Sequence, residues 1–434
     1  MNEGERSMVK LSRHRTWISR LCLQSVRAVL AMSIVLAGIL AARSAHAQTF
    51  KVLYRFKGEA DGAGPGNLII DASGTLYGTA GGGSSTGAGA GVVYRLDPTT
   101  GEESVLTTFT GVGGGAANPI GTLARDSSGR LYGTAANSGK GGAGGIVFET
   151  FAKGGRDTLH SFAKGGEEDG RSPIAGVILD KRGNLYGNTT LGGTSGSGVV
   201  FELHIKSRKE TILYSFKGSG GDGLSPYAAL IRDSSGNLYG TTEGGGNFGG
   251  VCGTNGCGTV FKVDATGHET VLYRFTGGTD GQNPLYGALV RDSAGNLYGT
   301  TSRGGASNLG VVFMLNRKGK GKETILHSFA GGPDGALPYA ALIRDQAGNL
   351  YGTTIEGGGT GCQSTGCGVV FKLDTTGKET VIYTFTGKKD GANAFALVGD
   401  AAGNFSVPPR PEEIRTATLH TAVARYSSLP LEWS

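Results

Sequence analysis

Beyond residue 47 the sequence is short of most features that mark a membrane protein, a nucleic-acid binder or a catalyst. No later apolar run approaches the roughly 20 residues that span a bilayer, so no membrane span is expected there. No apolar period of 3.6 residues is sustained, which argues against a helical architecture. The formal charge of +6 is concentrated at the N-terminus, where Arg6, Lys10, Arg13, Arg15, Arg20, Arg27 and Arg43 face only Glu3 and Glu5. A near-neutral remainder has no electrostatic footprint for nucleic acid. Histidine in that remainder is confined to His160, His204, His268, His327 and His420, with no pair at metal-ligand spacing. No Gly-x-Ser-x-Gly elbow occurs, and no helix follows the glycine-rich stretches to offer its N-terminus to phosphate. No metal or cofactor is expected.

What is present starts with a basic segment, the uncharged apolar run 28–42, and Ala45-His46-Ala47, a small-x-small cleavage site. That order reads as a secretory signal peptide cut before Gln48, since about 15 apolar residues are too few for an anchor helix. The expected division is residues 1–47 as signal peptide, 48–404 as a repeat domain and 405–434 as a divergent tail. The mature chain is expected to be exported, to the periplasm or beyond the cell.

Glycine is abundant, at 81 of 434 residues, against a usual ~7%. Aromatic and branched residues recur between the glycines, so the chain is not disordered by composition. The heptad GNLYGTT is spelled three times, at 236–242, 295–301 and 348–354. Related Leu-Tyr pairs place Tyr77, Tyr132, Tyr186, Tyr239, Tyr298 and Tyr351 at intervals of 55, 54, 53, 59 and 53 residues, and periods of this length define repeat architectures. Each unit holds four strand-like runs bounded by turn residues, in the fifth GALVRD, GNLYGTT, GVVFML and ETILHSF. First strands such as YAALIRD favour small residues, which suits a crowded innermost position. Four antiparallel strands per unit predict an all-β fold, a β-propeller.

Fourth-strand runs begin near Lys51, Ser104, Thr158, Thr211, Thr270, Thr324 and Thr380, and first-strand runs end at Asp71, Asp126, Asp180, Asp233, Asp292, Asp345 and Asp400. Both counts are seven. The expectation is therefore seven blades of four antiparallel strands, the seventh degenerate and closed by the N-terminal strand FKVLYRF. The alternative, a linear solenoid, leaves both end units uncapped. After Asn404 the pattern is lost, with Pro408, Pro409 and Pro411 where a second strand should continue. Residues 418–426 are expected to serve as a substitute third strand, and a frame error near the end of the gene would explain the switch.

The consensus Asp-Gly-x-x-Pro…Leu-Ile-x-Asp-x-x-Gly-Asn-Leu-Tyr-Gly-Thr-Thr…Gly-Cys-Gly-Thr-Val-Phe-Lys resembles the Gloeobacter/Verrucomicrobia ("GloVer") tandem repeat, over about residues 51–404. The resemblance implies a repeat protein exported from a bacterial cell and supplies no catalytic residue. Surface anchoring is not expected, because no apolar stretch with a basic end follows the repeats.

Cys252, Cys257, Cys362 and Cys367 form two pairs at the same place in their units, between second and third strands. An even count in an exported chain favours two loop disulfides. A four-thiolate zinc site is the alternative, but a cysteine-free unit separates the pairs. The inter-blade connections carry an Asp-Gly at Asp61, Asp169, Asp222, Asp280, Asp334 and Asp390, with Gly115 in the second unit. These carboxylates are expected on one rim, where they form a partial ring able to hold a cation or polyhydroxylated ligand, or else serve as turn caps. The aspartates ending first strands are comparable to sialidase Asp boxes, which are structural turns. His160 and His327 replace the tyrosines of sister units.

Residues repeated in every blade argue for packing, whereas an active site needs different residues converging at one place. The functional expectation is a non-enzymatic binding or structural module whose partner is an unknown glycan, peptide or envelope component. The alternative is a polysaccharide-acting lyase or hydrolase, to be favoured by a singular cluster of His, Arg and carboxylates at the channel mouth.

Overall fold

A computed structural model describes residues 51–408 apart from 59, 83–89, 112–116, 138–143, 152–153, 163–167, 318–321, 363, 389 and 401–402. The expected signal peptide and nearly all of the 405–434 tail lie outside the described residues. Among the described residues no helix is long and apolar enough to cross a membrane.

Six four-stranded antiparallel blades follow one another at residues 63–108, 124–161, 177–215, 231–274, 290–328 and 343–384, each with its strands bonded in sequence order. In blade 4 the strands are Ile231–Arg232, Leu238–Thr242, Thr259–Val263 and Glu269–Arg274, from innermost to outermost. First strands of neighbouring blades approach closely: a Cβ on Gly121 would sit 2.4 Å from the backbone nitrogen of Gly176, so the small residues there are a steric requirement.

The expected seven blades, the seventh degenerate, are thus corrected to six. Among the described residues the seventh unit forms Val398–Gly399 paired with Phe405–Ser406 and no further strand. Val407 is followed by Pro408 and Pro409, which cannot donate to a ladder. The N-terminal run forms no sheet among the described residues, yet its side chains take the outer-strand place beside blade 1. Phe56 meets Tyr94 edge-on at 4.9 Å, as Phe216 meets Phe261 at 5.0 Å between blades 3 and 4. The same pairing recurs as Phe109–Phe148, Phe162–Phe201, Phe275–Phe313 and Phe329–Phe371, each pair adding about 0.5–1.5 kcal/mol beyond its buried area. Val398 of the seventh unit packs into the cluster of Leu53, Tyr54, Phe56, Leu68 and Leu76. The ends of the repeat region therefore meet, and side-chain packing closes the ring.

The heptad 236–242 can now be explained residue by residue. Gly236 turns the hairpin at φ 89°, a conformation that costs glycine little. Asn237 donates its backbone and side-chain N–H groups to Asp233, both at 2.9 Å. Leu238 is buried in the core shared by blades 3 and 4. Tyr239 donates its hydroxyl to Asp233 at 3.0 Å and lies beneath the guanidinium of Arg291 from the next blade. Gly240 is required because a Cβ would meet the Phe261 ring at 2.7 Å and Leu230 at 2.9 Å. Thr242 donates its buried hydroxyl to the Gly244 carbonyl at 2.8 Å, shaping the glycine-rich loop that follows. The first-strand aspartates are thus turn clasps, repeated at Asp71, Asp126, Asp180, Asp292 and Asp345 with their tyrosines.

Candidate functional site

The rim is assembled by backbone pairing. Gly170–Arg171 pairs with Leu191–Gly192, Gly223–Leu224 with Gly244–Gly245, and Ala336–Pro338 with the end of Leu350–Glu356. Inter-blade loops and the glycine-rich loops after second strands therefore share one rim. The two cysteine pairs are disulfides there, Cys252–Cys257 and Cys362–Cys367, with Cα atoms 4.8 and 5.2 Å apart. A four-thiolate metal site is excluded.

The six rim aspartates are spread along the outer part of this rim, because each sits in a loop leaving an outermost strand. Each carboxylate is engaged locally through at least one oxygen. Asp222 accepts from the Tyr214 hydroxyl at 2.8 Å and from the N–H groups of Lys217 and Gly223 at 2.8 and 2.6 Å. Asp280 accepts from Tyr273 and from the backbone and hydroxyl of Thr276, and Asp390 does the same with Tyr383 and Thr386. Asp61 takes the Tyr54 hydroxyl and the Lys57 N–H. Asp334 lies 3.0 Å from His327 Nε2 and takes the Ala330 N–H, and Asp169 takes the Gly170 N–H at 2.7 Å.

Behind most of these aspartates stands a second carboxyl from the outer strand of the next blade: Glu103 by Asp61, Glu210 by Asp169, Glu269 by Asp222, Glu323 by Asp280 and Glu379 by Asp334. Burial, then the adjacent aspartate, pushes Glu103, Glu269 and Glu379 up to about 7. Burial likewise pushes Glu323 up to about 8. Each of these glutamates keeps one buried oxygen without a hydrogen-bond partner. The Tyr273 hydroxyl lies 2.8 Å from Asp280 and 2.9 Å from Glu323. One hydroxyl hydrogen serves one acceptor, so a neutral Glu323 donates to Tyr273 while Tyr273 donates to Asp280. Between blades 1 and 2 all three positions change together. Thr107 replaces the tyrosine, Gly115, outside the described residues, replaces the aspartate, and Arg156 replaces the glutamate, its guanidinium lying over the Phe109 ring at 4.7 Å.

The channel mouth is different. Just before the innermost strands of blades 4, 5 and 6 stand Tyr227, Tyr286 and Tyr339, and in the seventh unit Phe395. Their rings follow one another at 5.5, 5.9 and 6.0 Å, forming an aromatic arc that steps from blade to blade. Tyr286 is 37% exposed. The matching residues of blades 1 to 3 are Gly66, Ile120 and Ile174. The arc has charged neighbours that are equally confined to one side. Burial raises the Tyr339 hydroxyl, Arg303 opposes that shift, and Glu243 and Glu356 add to it. Burial also raises Glu243 above the usual carboxylate range. This asymmetric set went unrecognised in the sequence, although tyrosine at the same offset before the first-strand leucine in units 4 to 6 was a readable signal.

Ring, blades and rim define a β-propeller. The Gloeobacter/Verrucomicrobia repeat matches residues 37–252 and 248–407, and the chain belongs to that repeat family. A search among curated proteins found no match. Among solved structures, the chain is similar to the extracellular domain of a protein described as a hybrid two-component system of B. thetaiotaomicron. That likeness has 14% identity and a TM-score of 0.51, covering 82% of this chain and 39% of the other. A second is the extracellular domain of a protein described as a one-component system of B. thetaiotaomicron, at 14% identity and a TM-score of 0.50, covering 81% of this chain and 40% of the other. The chain thus spans about two fifths of the length of these structures, and at this identity the likeness is one of fold.

Proposed function

We propose that the protein is an exported, non-enzymatic binding module whose ligand, a glycan, docks at the channel mouth on the arc of Tyr227, Tyr286, Tyr339 and Phe395. The observation that carries this reading is the confinement of the arc, with Glu243, Arg303 and Glu356, to one side of a ring that is otherwise repetitive. Packing demands recur in every blade, so residues present in one part only answer to something else. Flat aromatic faces accept the C–H faces of sugar rings, and a few charged groups beside them fix orientation. The rim aspartates are read as loop caps in this scheme. Export is supported by the two disulfides, by the leader-like N-terminus, and by the extracellular setting of the two structural relatives.

A glycan-array screen of the purified protein tests this, with a Tyr286→Ala/Tyr339→Ala protein as its control. Binding of one oligosaccharide class that the control loses supports the reading. Binding retained by the control removes the ligand from the mouth, and a blank array moves the protein to a purely structural role.

A second reading has its own support. Two carboxylates beside an aromatic platform, one of them with a raised pKa, are the parts list of a glycoside-cleaving site. In that reading Glu243 is the general acid and Glu356 its partner. Release of reducing ends from the bound oligosaccharide, abolished by Glu243→Gln, would establish it.

A further inference from the structure

The boundary between blades 2 and 3 departs from its sisters. His160, in the outer strand Arg156–Ser161, stands where Tyr54, Tyr214, Tyr273 and Tyr383 stand elsewhere. Its Nε2 lies 3.7 Å from Asp169 Oδ1 and 3.4 Å from Glu210 Oε2. The three donor atoms all fall within 4.8 Å of one another. The side chains are 17%, 1% and 14% exposed, and His160 Nε2 and Glu210 Oε1 are buried with no hydrogen-bond partner. At the boundary between blades 4 and 5 the Tyr273 hydroxyl fills the gap between the two carboxyls, 2.8 Å from Asp280 and 2.9 Å from Glu323. Here the gap is left open.

The spacing of that gap is informative. Ligand atoms held at about 2.1 Å by a tetrahedral ion lie about 3.4 Å from one another, and the two measured separations fall at or near this edge length. His327, the other histidine at a tyrosine position, has instead closed onto Asp334 at 3.0 Å. Among the described residues, no second group of three His, Cys, Asp or Glu has such proximity. The donors are held in place from behind: Asp169 Oδ1 also takes the Gly170 N–H at 2.7 Å, and Phe162 packs edge-on against the imidazole at 4.7 Å.

We propose that His160, Asp169 and Glu210 form a binding site for a divalent transition-metal ion of the zinc class, clasping the outer strand of blade 2 to that of blade 3. The imidazole selects against calcium and magnesium, which take oxygen ligands. One nitrogen with two carboxylates suits zinc and its first-row neighbours. The site is formed by side chains separated by 9 and 41 residues, which only the stacking of blades brings together.

The sister blades supply the control. Chelator-stripped protein is titrated with Zn2+ by calorimetry and with Co2+ by visible absorption. The expected result is one saturable site per chain and a higher Tm with metal. His160→Tyr, which installs the residue of the other boundaries, should abolish that site while the metal-free Tm is kept. Glu210→Gln should weaken it by roughly 100-fold or more, beyond the loss from removing a supporting group. Saturable binding unchanged in His160→Tyr, or no saturable binding in the native protein, overturns the proposal. Should His160→Tyr fail to fold, the Co2+ spectrum of Glu210→Gln decides: an unaltered spectrum and affinity overturn it.

Discussion

The two halves of the channel mouth share a backbone and differ in finish. Blades 1 to 3 present Gly66, Ile120 and Ile174 where blades 4 to 6 and the seventh unit present Tyr227, Tyr286, Tyr339 and Phe395. Behind both halves the same phenylalanine pairs, aspartate clasps and Tyr–Asp–Glu sets hold the blades together. The difference teaches that in a repeat protein scaffold and function can be separated by counting. What occurs at nearly every boundary answers to packing, and what occurs on one side only is where the proposed ligand is to be sought.

That division can be tested from the scaffold end first. Phe313 is fully buried between blades 4 and 5, and Phe313→Ala should cost about 3–5 kcal/mol in denaturant unfolding. A cost below about 1 kcal/mol would mean the repeated phenylalanines are not the cement of the ring. The disulfides come next. Each closes a short loop, and reduction should remove on the order of 2 kcal/mol apiece in the chain-entropy model. The rim loops of blades 4 and 6 should therefore loosen in hydrogen exchange on reduction while that of blade 5, which has no cysteine, does not change.

Stability against pH is the subtler check. Glu103, Glu269, Glu323 and Glu379 bind protons in the folded state up to about pH 7 to 8, whereas the unfolded chain releases them near the ordinary glutamate value of about 4.3. The folded state therefore holds the extra protons across that window, and stability falls as pH rises through it. In the other direction Asp71, Asp126, Asp233, Asp292 and Asp345 are lowered: burial opposes the shift, but hydrogen bonds from their own turns outweigh it. Their contribution is lost as acid protonates them. Tm should be highest near about pH 5 and decline toward pH 8, and Glu323→Gln should flatten that decline. A Tm that rises steadily from pH 5 to pH 8 would contradict the buried glutamates.

Much of the scaffold was legible. Three copies of GNLYGTT carried the second strand and its turn, because Gly236, Asn237 and Tyr239 find their conformation and partners within their own hairpin. The paired cysteines were legible for the same reason. Blade number was not, since strand-like runs can be counted without knowing whether a partner exists to complete the sheet. FKVLYRF has the right alternation, and Leu53, Tyr54 and Phe56 fill the right place, but among the described residues no ladder forms. The Tyr–Asp–Glu sets were missed because Tyr273 belongs to one repeat and Asp280 and Glu323 to the next, and the three meet only across a blade boundary. The aromatic arc was hidden in strands such as YAALIRD, where the small residues explained the crowding and drew attention away from the leading tyrosine.

The most direct test of the ligand assignment sets one half of the mouth against the other. Calorimetric titration of the array-selected oligosaccharide into the native protein, Tyr286→Ala/Tyr339→Ala and Ile120→Ala/Ile174→Ala isolates the arc. The account predicts at least roughly tenfold weaker binding per lost ring for the tyrosine variant, its Tm nearly unchanged, and native affinity for the isoleucine variant. Equal losses in both variants, or none in either, would contradict it.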